Sequence, residues 1–412
     1  MIRAANLLAE ARRVPGLAGA STVEPDWDPV ARRIRQEATD SWDDKVAVDR
    51  FTGKGGRFVR GRGRITGHGQ VTVDTAEGPR VLRARRGVLV NTGTEPAIPP
   101  VPGLAGTPYW TNREAIETEE VPDSLIVLGG GAVGAELAQV FARFGARVHV
   151  VEALPRLLPA DEPEAGDLLA GVFAREGIAV LTGTRAERVS HDGSQFSVHL
   201  ADGQTLTAGR LLVATGRRAD LAALGVGAYG IDETAATIGT DERMRAADGL
   251  WAIGDVTGRG AFTHVSMYQA AIATRDILGQ DGPPADYRAV PRVTFTDPEI
   301  GSVGVTEGQA REQGVVVRTG ITQLPSSARG WIHNAGNDGF IKLVEDAGRG
   351  VLVGATSAGP AGGEVLGALV VAVHAQVPVA GLRTMIYAYP TFHRAIEDAL
   401  RDLDAGQAVS SA

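Results

Sequence analysis

The sequence predicts an α/β protein in which two Rossmann-like nucleotide-binding domains precede a separate C-terminal α+β unit. Three observations carry that expectation. The run "LIVLGGGAVGAELAQVFARFGARVHVVE", Leu125 to Glu152, is laid out as strand, glycine turn, helix and a second strand ending on an acid. Two near copies, "VLVNTG" at 88–93 and "LLVATG" at 211–216, each stop an apolar strand at Thr-Gly, as two similarly built domains would. From Val290 the character changes: "PRVTFTDPEIGSVGVT", "FIKLVEDAGRGVLVGATS" and "GGEVLGALVVAVHAQV" describe strands and a helix of a different unit.

Length and composition are consistent with this. A chain of 412 residues is long enough for two or three domains with real cores. Its 54 glycines are about twice the share expected from average usage of ~7%, so tight turns and close backbone approaches are numerous. A formal charge of −8 argues against a nucleic-acid partner, and the run "RVLRARRG" from Arg80 to Gly87 reads as an exposed strand edge rather than a phosphate track. With no cysteine, disulfides, thiolate metal sites and thiol catalysis are excluded within these residues, and no metal is expected. No apolar run approaches the ~18 residues that span a bilayer, and the charged opening "MIRAANLLAEARR" is unlike a signal peptide. The cytoplasm is the expected location.

Taken in order, Ile2, Ala5, Leu8 and Ala9 recur at helical spacing, and "DPVARRIRQEATDSW" repeats the pattern. "GRFVRGRGRITG", "QVTVDT" and "RVLRARRGVLVNTG" alternate with period two and predict a small antiparallel layer. The prolines of "EPAIPPVPG" break the chain, and a domain boundary falls between Pro102 and Asp123. After the glycine motif come a helix around "EAGDLLAGVFAREG" and strands "AVLTGT", "ERVSHD", "FSVHLA" and "RLLVATG".

Gly129, Gly131 and Gly134 form GxGxxG directly after a strand and directly before a helix, the context the fingerprint requires. Gly129 permits the tight turn, Gly131 lets the main chain approach a pyrophosphate, and Gly134 lets the helix pack closely. The phosphates then sit at the positive end of the helix. Glu152, at the end of the next strand, can accept hydrogen bonds from ribose hydroxyls and favours NAD over NADP, although Arg156 is near enough to blur that preference. In "GLWAIGDVTG", Asp255 follows an apolar strand where doubly wound sheets bind ligands; a plain turn and a polyol acceptor are both open readings of it.

The series "VNTGTEPAIPPVPG", "LGGGAVGAE", "LLVATGRR", "LWAIGDV", "VTFTDPEIGSVGVTE" and "YAYPTFHRAIEDAL", in this order, resembles the pyridine nucleotide-disulfide oxidoreductases, the flavoenzymes that include dihydrolipoamide dehydrogenase and mercuric reductase. The resemblance implies FAD and NAD as cofactors and hydride transfer from NADH to flavin, then to a small-molecule electron acceptor that the sequence does not name. It implies an FAD domain over 1–120 and 245–288, an NAD domain over 121–244, a dimerisation domain over 289–403 that makes a homodimer, and a tail over 404–412. By resemblance Asp255 holds the FAD ribitol chain, Thr263 offers a backbone contact near the flavin ring, Thr92 and Gly93 form the flavin-domain Thr-Gly pair, and Gly63 meets the adenine. For the nicotinamide cofactor it assigns Gly129, Gly130, Gly131, Ala132, Val133, Gly134, Ala135 and Glu136, then Glu152 and Gly216. Glu136 faces the flavin in relatives and pairs there with a lysine; a solvated first-turn acid is the other open reading.

Two departures qualify the resemblance. The family's opening FAD-binding βαβ unit and its helix with two redox cysteines and a Pro-Ser-Lys end have no counterpart here, so the first domain is expected to be incomplete, by a misplaced start or truncation. At the other end, Tyr389 and Arg394 stand where many relatives place a thiol-protonating His and the Glu that holds it. A tyrosine, with a reference pKa of about 10, is a poor base near pH 7, so Tyr389 is the catalytic candidate for donating a hydrogen bond or proton rather than for thiol chemistry. His393 is either its stand-in or a helix-start surface residue. A nucleotide-binding dimer without catalysis, or a quinone- or diaphorase-type reductase, is the alternative.

Overall fold

The structure, a computed structural model, describes residues 1–410, with backbone alone from 404 to 410. The principal elements in chain order are α1 (Ile2–Arg13), α2 (Lys45–Gly53), the strands β1 (Arg62–Gly67), β2 (Gln70–Thr75), β3 (Gly78–Arg83) and β4 (Val88–Val90), then β5 (Ser124–Leu128), α3 (Ala132–Arg143), β6 (Arg147–Glu152), α4 (Pro163–Arg175) and β7 (Ala179–Thr182). They continue with β8 (Ala186–His191), β9 (Phe196–Leu200), β10 (Thr205–Ala208), β11 (Arg210–Val213), β12 (Arg245–Ala247), β13 (Leu250–Ala252) and α5 (Thr263–Ile277). The last are β14 (Pro291–Thr294), β15 (Glu299–Gly304), β16 (Val317–Gln323), β17 (Phe340–Asp346), β18 (Val351–Gly359), α6 (Gly362–His374) and α7 (Ala395–Ser410). Of the tail expected at 404–412, residues 404–410 continue α7, and 411 and 412 lie outside the described residues.

The chain forms two compact units. The first comprises Met1–Ile34, Ile98–Gly216 and Arg288–Ala412. Its centre is a parallel sheet in the order β11-β5-β6-β7. Every residue of β5, "SLIVL", is buried, which is what a parallel strand covered on both faces requires. On one face, α3 contributes Leu137, Ala138, Val140 and Phe141 to the core, and α1 packs on it through the small Ala5. Trp27 wedges its ring against Phe141 and Phe144 and donates its indole N–H to the Thr118 carbonyl at 3.0 Å, so a buried polar tip is satisfied. On the other face, Phe196, Val198 and Leu200 of β9 alternate inward toward Ile126 and Leu128. The C-terminal part of this unit is an antiparallel sheet, β14-β15-β18-β17-β16, with α6 and α7 packed on it. A Cβ on Gly320 would stand 2.2 Å from the Ala399 carbonyl oxygen, so glycine there lets α7 lie close on β16.

The second unit comprises Arg35–Ala97 and Arg217–Tyr287. The alternation in 62–83 produces the antiparallel meander β1-β2-β3. Strand β4 pairs in parallel with β13 in a sheet of order β12-β13-β4. Thus both echoes read in the sequence, "VLV" before Asn-Thr-Gly and "LLV" before Ala-Thr-Gly, lie in parallel sheets, one in each unit. Ile65, Val90, Leu250 and Val256 share the core of this unit.

One buried charge centre crosses from α4 to the C-terminal sheet within the first unit. Lys342 of β17, 4% exposed, reaches Glu162 at 3.0 Å, Glu164 at 2.7 Å and Glu307 at 2.9 Å. Burial disfavours its charge, but hydrogen bonds to Glu164, Glu307 and Glu162 raise its pKa well above the usual 10.5. Partial burial works against ionisation of Glu307, and its hydrogen bonds from Lys342 and Arg311 outweigh that and lower its pKa below 4.5. Replacing Lys342 by Met strands the buried Glu162 carboxylate and leaves Glu164 and Glu307, which are partly exposed, without their cation, and denaturant unfolding is expected to show a loss of about 3 kcal/mol at neutral pH. Because the Glu307 pKa is depressed, its share of stability is present above about pH 4.5 and is lost as the pH falls through the lower folded value, so the variant and parent should converge in acid. A stability gap that does not narrow below pH 4.5 contradicts this assignment.

Candidate functional site

The ends of β5, β6 and β11 define a cavity of about 950 Å³ in the first unit. Gly129 follows β5 with φ of 108°, and a Cβ there would lie 2.4 Å from the Ala214 carbonyl oxygen. Gly134, within the first turn of α3, comes so close to the strand end that a Cβ would stand 1.9 Å from the Gly129 oxygen. Gly131, the N-cap of α3, has nothing within 4 Å of its Cβ position and lines the cavity. The first and third glycines are therefore demanded by packing, while the second leaves open space at the helix start. Helix α3 has no side-chain cap and no acid in its first turn, so its leading N–H groups and positive end are free for an anion. A Cβ on Gly130 would strike Leu157 at 2.6 Å; Ala132 and Val133 are exposed, and Ala135 is buried in the core.

Glu152 closes β6 at the cavity wall and is 8% exposed. Its Oε2 accepts the Gly130 N–H at 2.6 Å and its Oε1 accepts the Leu154 N–H at 2.7 Å. The carboxylate thus braces the glycine loop and still presents lone pairs to the cavity. Gly216, after β11, lies on the opposite wall with φ of 122° and open space around it. Cavity residues that the motif does not reveal are Pro99 to Pro102 and Thr184 to Glu187. The second group follows the end of β7, and the rule that doubly wound sheets bind at their strand ends is the signal that finds it. The proline group has only its nearness to Gly103 and the strand ends to mark it.

Glu136 sits on the second turn of α3, half-buried, and does not line this cavity. Its Oε1 accepts the Phe295 main-chain N–H at 2.8 Å. Burial raises its pKa above 4.5, and the Phe295 hydrogen bond acts in the opposite direction. Tyr389 is 69% exposed, with the Arg394 guanidinium 5.5 Å from its ring centre. His393 has Nε2 at 3.5 Å from the Thr391 hydroxyl, just before α7.

The remaining candidates lie in the second unit. The parallel strands β4 and β13 bring Thr92 and Gly93 beside Gly254 and Asp255. Asp255 opens a short turn, Gly254–Thr257, and its Oδ2 accepts the Thr94 hydroxyl at 3.2 Å; Arg217 in turn donates to that hydroxyl at 2.8 Å. Fully buried Gln269 fixes the turn from beneath. It accepts the Gly254 N–H at 2.6 Å and donates to the Thr257 hydroxyl at 3.2 Å and the Tyr287 hydroxyl at 2.9 Å. Gly93 has φ of 67° with open space at its Cβ position, so the main chain there is approachable. Thr263 is the exposed first residue of α5, and Gly63 is exposed on β1; no hydrogen bond joins either to Asp255. An acid at a strand end, an open glycine beside it and a rigid turn fit the polyol of a second dinucleotide.

Residues 29–270 match the pyridine nucleotide-disulphide oxidoreductase family, and residues 290–400 match its dimerisation domain. The chain belongs to this family. It is 35% identical over 351 residues to dihydrolipoyl dehydrogenase of Chlorobaculum tepidum, covering 84% of this chain and 74% of the relative. It is 37% identical over 308 residues to a mercuric reductase of Shewanella putrefaciens, covering 74% of this chain and 54% of that protein. The chain thus spans about half the length of the latter. Among solved structures, LpdA from Mycobacterium tuberculosis superposes with a TM-score of 0.84 at 28% identity, covering 98% of this chain and 88% of that one. The HOCl-induced flavoprotein disulfide reductase RclA from Escherichia coli superposes with a TM-score of 0.83 at 26% identity, covering 97% and 89%. Members of the family are oxidoreductases that use FAD and NAD(P)H.

The glycine geometry makes a test within the family fingerprint. Gly134→Ala forces α3 off the strand end and is expected to cost about 1–3 kcal/mol in chemical denaturation. Gly131→Ala, which meets no atom, should leave the unfolding midpoint unchanged. Equal destabilisation by both would contradict the close-approach argument.

Proposed function

We propose that the protein is an FAD-dependent NADH oxidoreductase acting as a homodimer on an electron acceptor not yet identified. The observation that carries the reading is the uncapped α3 N-terminus opening on a cavity walled by Glu152. The free N–H groups there bind the pyrophosphate of a dinucleotide, Gly131 lets it approach, and Glu152 accepts from a ribose hydroxyl. A 2'-phosphate beside the Glu152 carboxylate would be repelled, which favours NADH over NADPH. In the second unit, Asp255 orients a ribitol hydroxyl chain while Thr94, Arg217 and Gln269 hold the acid and its turn still. When bound, FAD supplies the hydride chemistry, taking two electrons from NADH and passing them to the acceptor. Glu136, Thr92, Gly93, Thr263 and Gly63 serve as further cofactor contacts by resemblance, and Tyr389 as a hydrogen-bond donor at the partner's site.

A second reading is favoured by the lack of any cysteine in these 412 residues: the acceptor is a quinone or dye-like molecule rather than a disulfide, or the dimer binds nucleotide without catalysis. Dimer formation itself is supported by exposed Ile386 (96%), Trp331 (77%) and Tyr389 in the part that matches the dimerisation domain.

Protein loaded with FAD should bleach its flavin absorbance on anaerobic addition of NADH, and NADPH should bind roughly tenfold or more weakly, ~1.4 kcal/mol. Asp255→Ala should lose flavin on gel filtration. Flavin retained but not reduced by NADH would leave the non-catalytic reading standing and overturn the oxidoreductase. Separately, Ile386→Glu should shift the protein from dimer to monomer in sedimentation velocity; an unchanged dimer would place the interface elsewhere.

A further inference from the structure

The run "RVLRARRG" belongs to a larger basic surface that the proposed oxidoreductase does not use. Residues 57–86 hold eight arginines and two acids, an excess of six positive charges in a chain of formal charge −8. Three of these arginines have structural partners: Arg60 pairs with Asp44, Arg64 donates to the Ala222 carbonyl, and Arg86 donates to the Ile277 carbonyl. The other five, Arg57, Arg62, Arg80, Arg83 and Arg85, are exposed and have no hydrogen bond or ion pair among the described residues.

The register sets out the face. Rows Arg62–Asp74–Pro79, Arg64–Thr72–Val81 and Gln70–Arg83 point away from the core that takes Ile65 and Val73. Edge strand β3 is exposed from Pro79 to Arg83; Val81 (53%) and Arg83 share the outward face, whereas Arg80, paired with Val73, and Leu82 (36%), paired with Val71, stand on the opposite face at the open sheet edge. Charges on an edge strand discourage sheet-to-sheet pairing. That role accounts for Arg80 or Arg83 on β3 and for Arg62 on the other edge strand, β1, but not for Arg57 and Arg85, which lie outside the strands.

We propose that the arginine-rich meander β1-β2-β3 adsorbs to an anionic lipid surface through its outward face and the exposed edge of β3, where Arg80 stands. Arginine clusters near a charged bilayer are attracted by its surface potential, and apolar side chains among them enter the interface. The remainder of the chain carries −14 and is repelled by such a surface, so the attraction is confined to this basic stretch. A nucleic acid suits the surface less well. Reading single strands requires several aromatic platforms; here the one exposed ring among the arginines, Phe58 (43%), has the Arg60 guanidinium 4.8 Å from its centre, and His68 is packed on Tyr229 at 4.5 Å. None of the five principal cavities is lined by residues 57–86.

The test floats the full chain with phosphatidylcholine vesicles containing phosphatidylglycerol and with vesicles of phosphatidylcholine alone. Co-flotation is expected with the anionic vesicles only, falling about fivefold or more as salt rises from about 50 to about 200 mM. The variant Arg62→Gln/Arg80→Gln/Arg83→Gln/Arg85→Gln should abolish it with an unchanged thermal midpoint, and Arg57→Gln/Arg62→Gln, which leaves β3 intact, should weaken it. No flotation with anionic vesicles at low salt, equal flotation with neutral ones, or full flotation of the quadruple variant overturns the proposal. Stronger retention on a single-stranded oligonucleotide of equal phosphate concentration than on the vesicles also overturns it, in favour of a nucleic-acid partner.

Discussion

The contact on which the first unit depends is the approach of Gly134 to the main chain of Gly129. Any side chain at 134 would overlap the Gly129 oxygen, so the helix axis and the strand end are held at a distance only glycine allows. From that closeness follow the aim of the α3 N-terminus, the width of the cavity between β6 and β11, and the burial of Ala135 and Ala138 beneath the helix. The chemistry available at the cavity is thus largely main-chain chemistry, set by what is absent from three side chains.

The far end of α3 is fixed by the opposite means. Gln139 and Arg143, 3% and 2% exposed, form a polar stripe that would be costly if unpaired. Gln139 exchanges two hydrogen bonds with the backbone of Asp297, at 2.8 and 2.9 Å, and Arg143 binds the Asp297 carboxylate at 2.8 Å together with Glu176 and Asn6. With Glu136 on the Phe295 N–H, three side chains of one helix face grip residues 295–297. Helix α3 and the connection between β14 and β15 of the C-terminal sheet are therefore tied together, and the sheet itself is secured again through Lys342.

Much of this was legible in the sequence because it rests on local rules. The glycine spacing, the buried run "SLIVL" and the Thr-Gly echoes each imply their geometry directly, and the parallel strands β5 and β4 appear where those patterns stand. The antiparallel meander follows from period-two alternation in 62–83. What was not legible depends on tertiary proximity. Gln269 is 15 residues from the glycine whose N–H it accepts, and nothing in "SMYQAA" announces that. Glu136 takes a main-chain N–H from 159 residues away, a partner with no side-chain identity to recognise. The basic run was readable as charge, but that three of its four arginines, Arg80, Arg83 and Arg85, have no hydrogen bond or ion pair among the described residues required the surface.

Glu152 illustrates a constraint on how such a site can change. Its two oxygens already hold the N–H groups of Gly130 and Leu154, so one residue sets both the shape of the loop and the negative charge at the cavity wall. Altering the charge by substitution removes at least one of those two acceptors in the same step, because even a glutamine amide keeps a single carbonyl oxygen. A change of charge at this position therefore leaves a loop N–H without its acceptor unless a new one arises first, and the order in which mutations occur decides which variants are ever visible to selection.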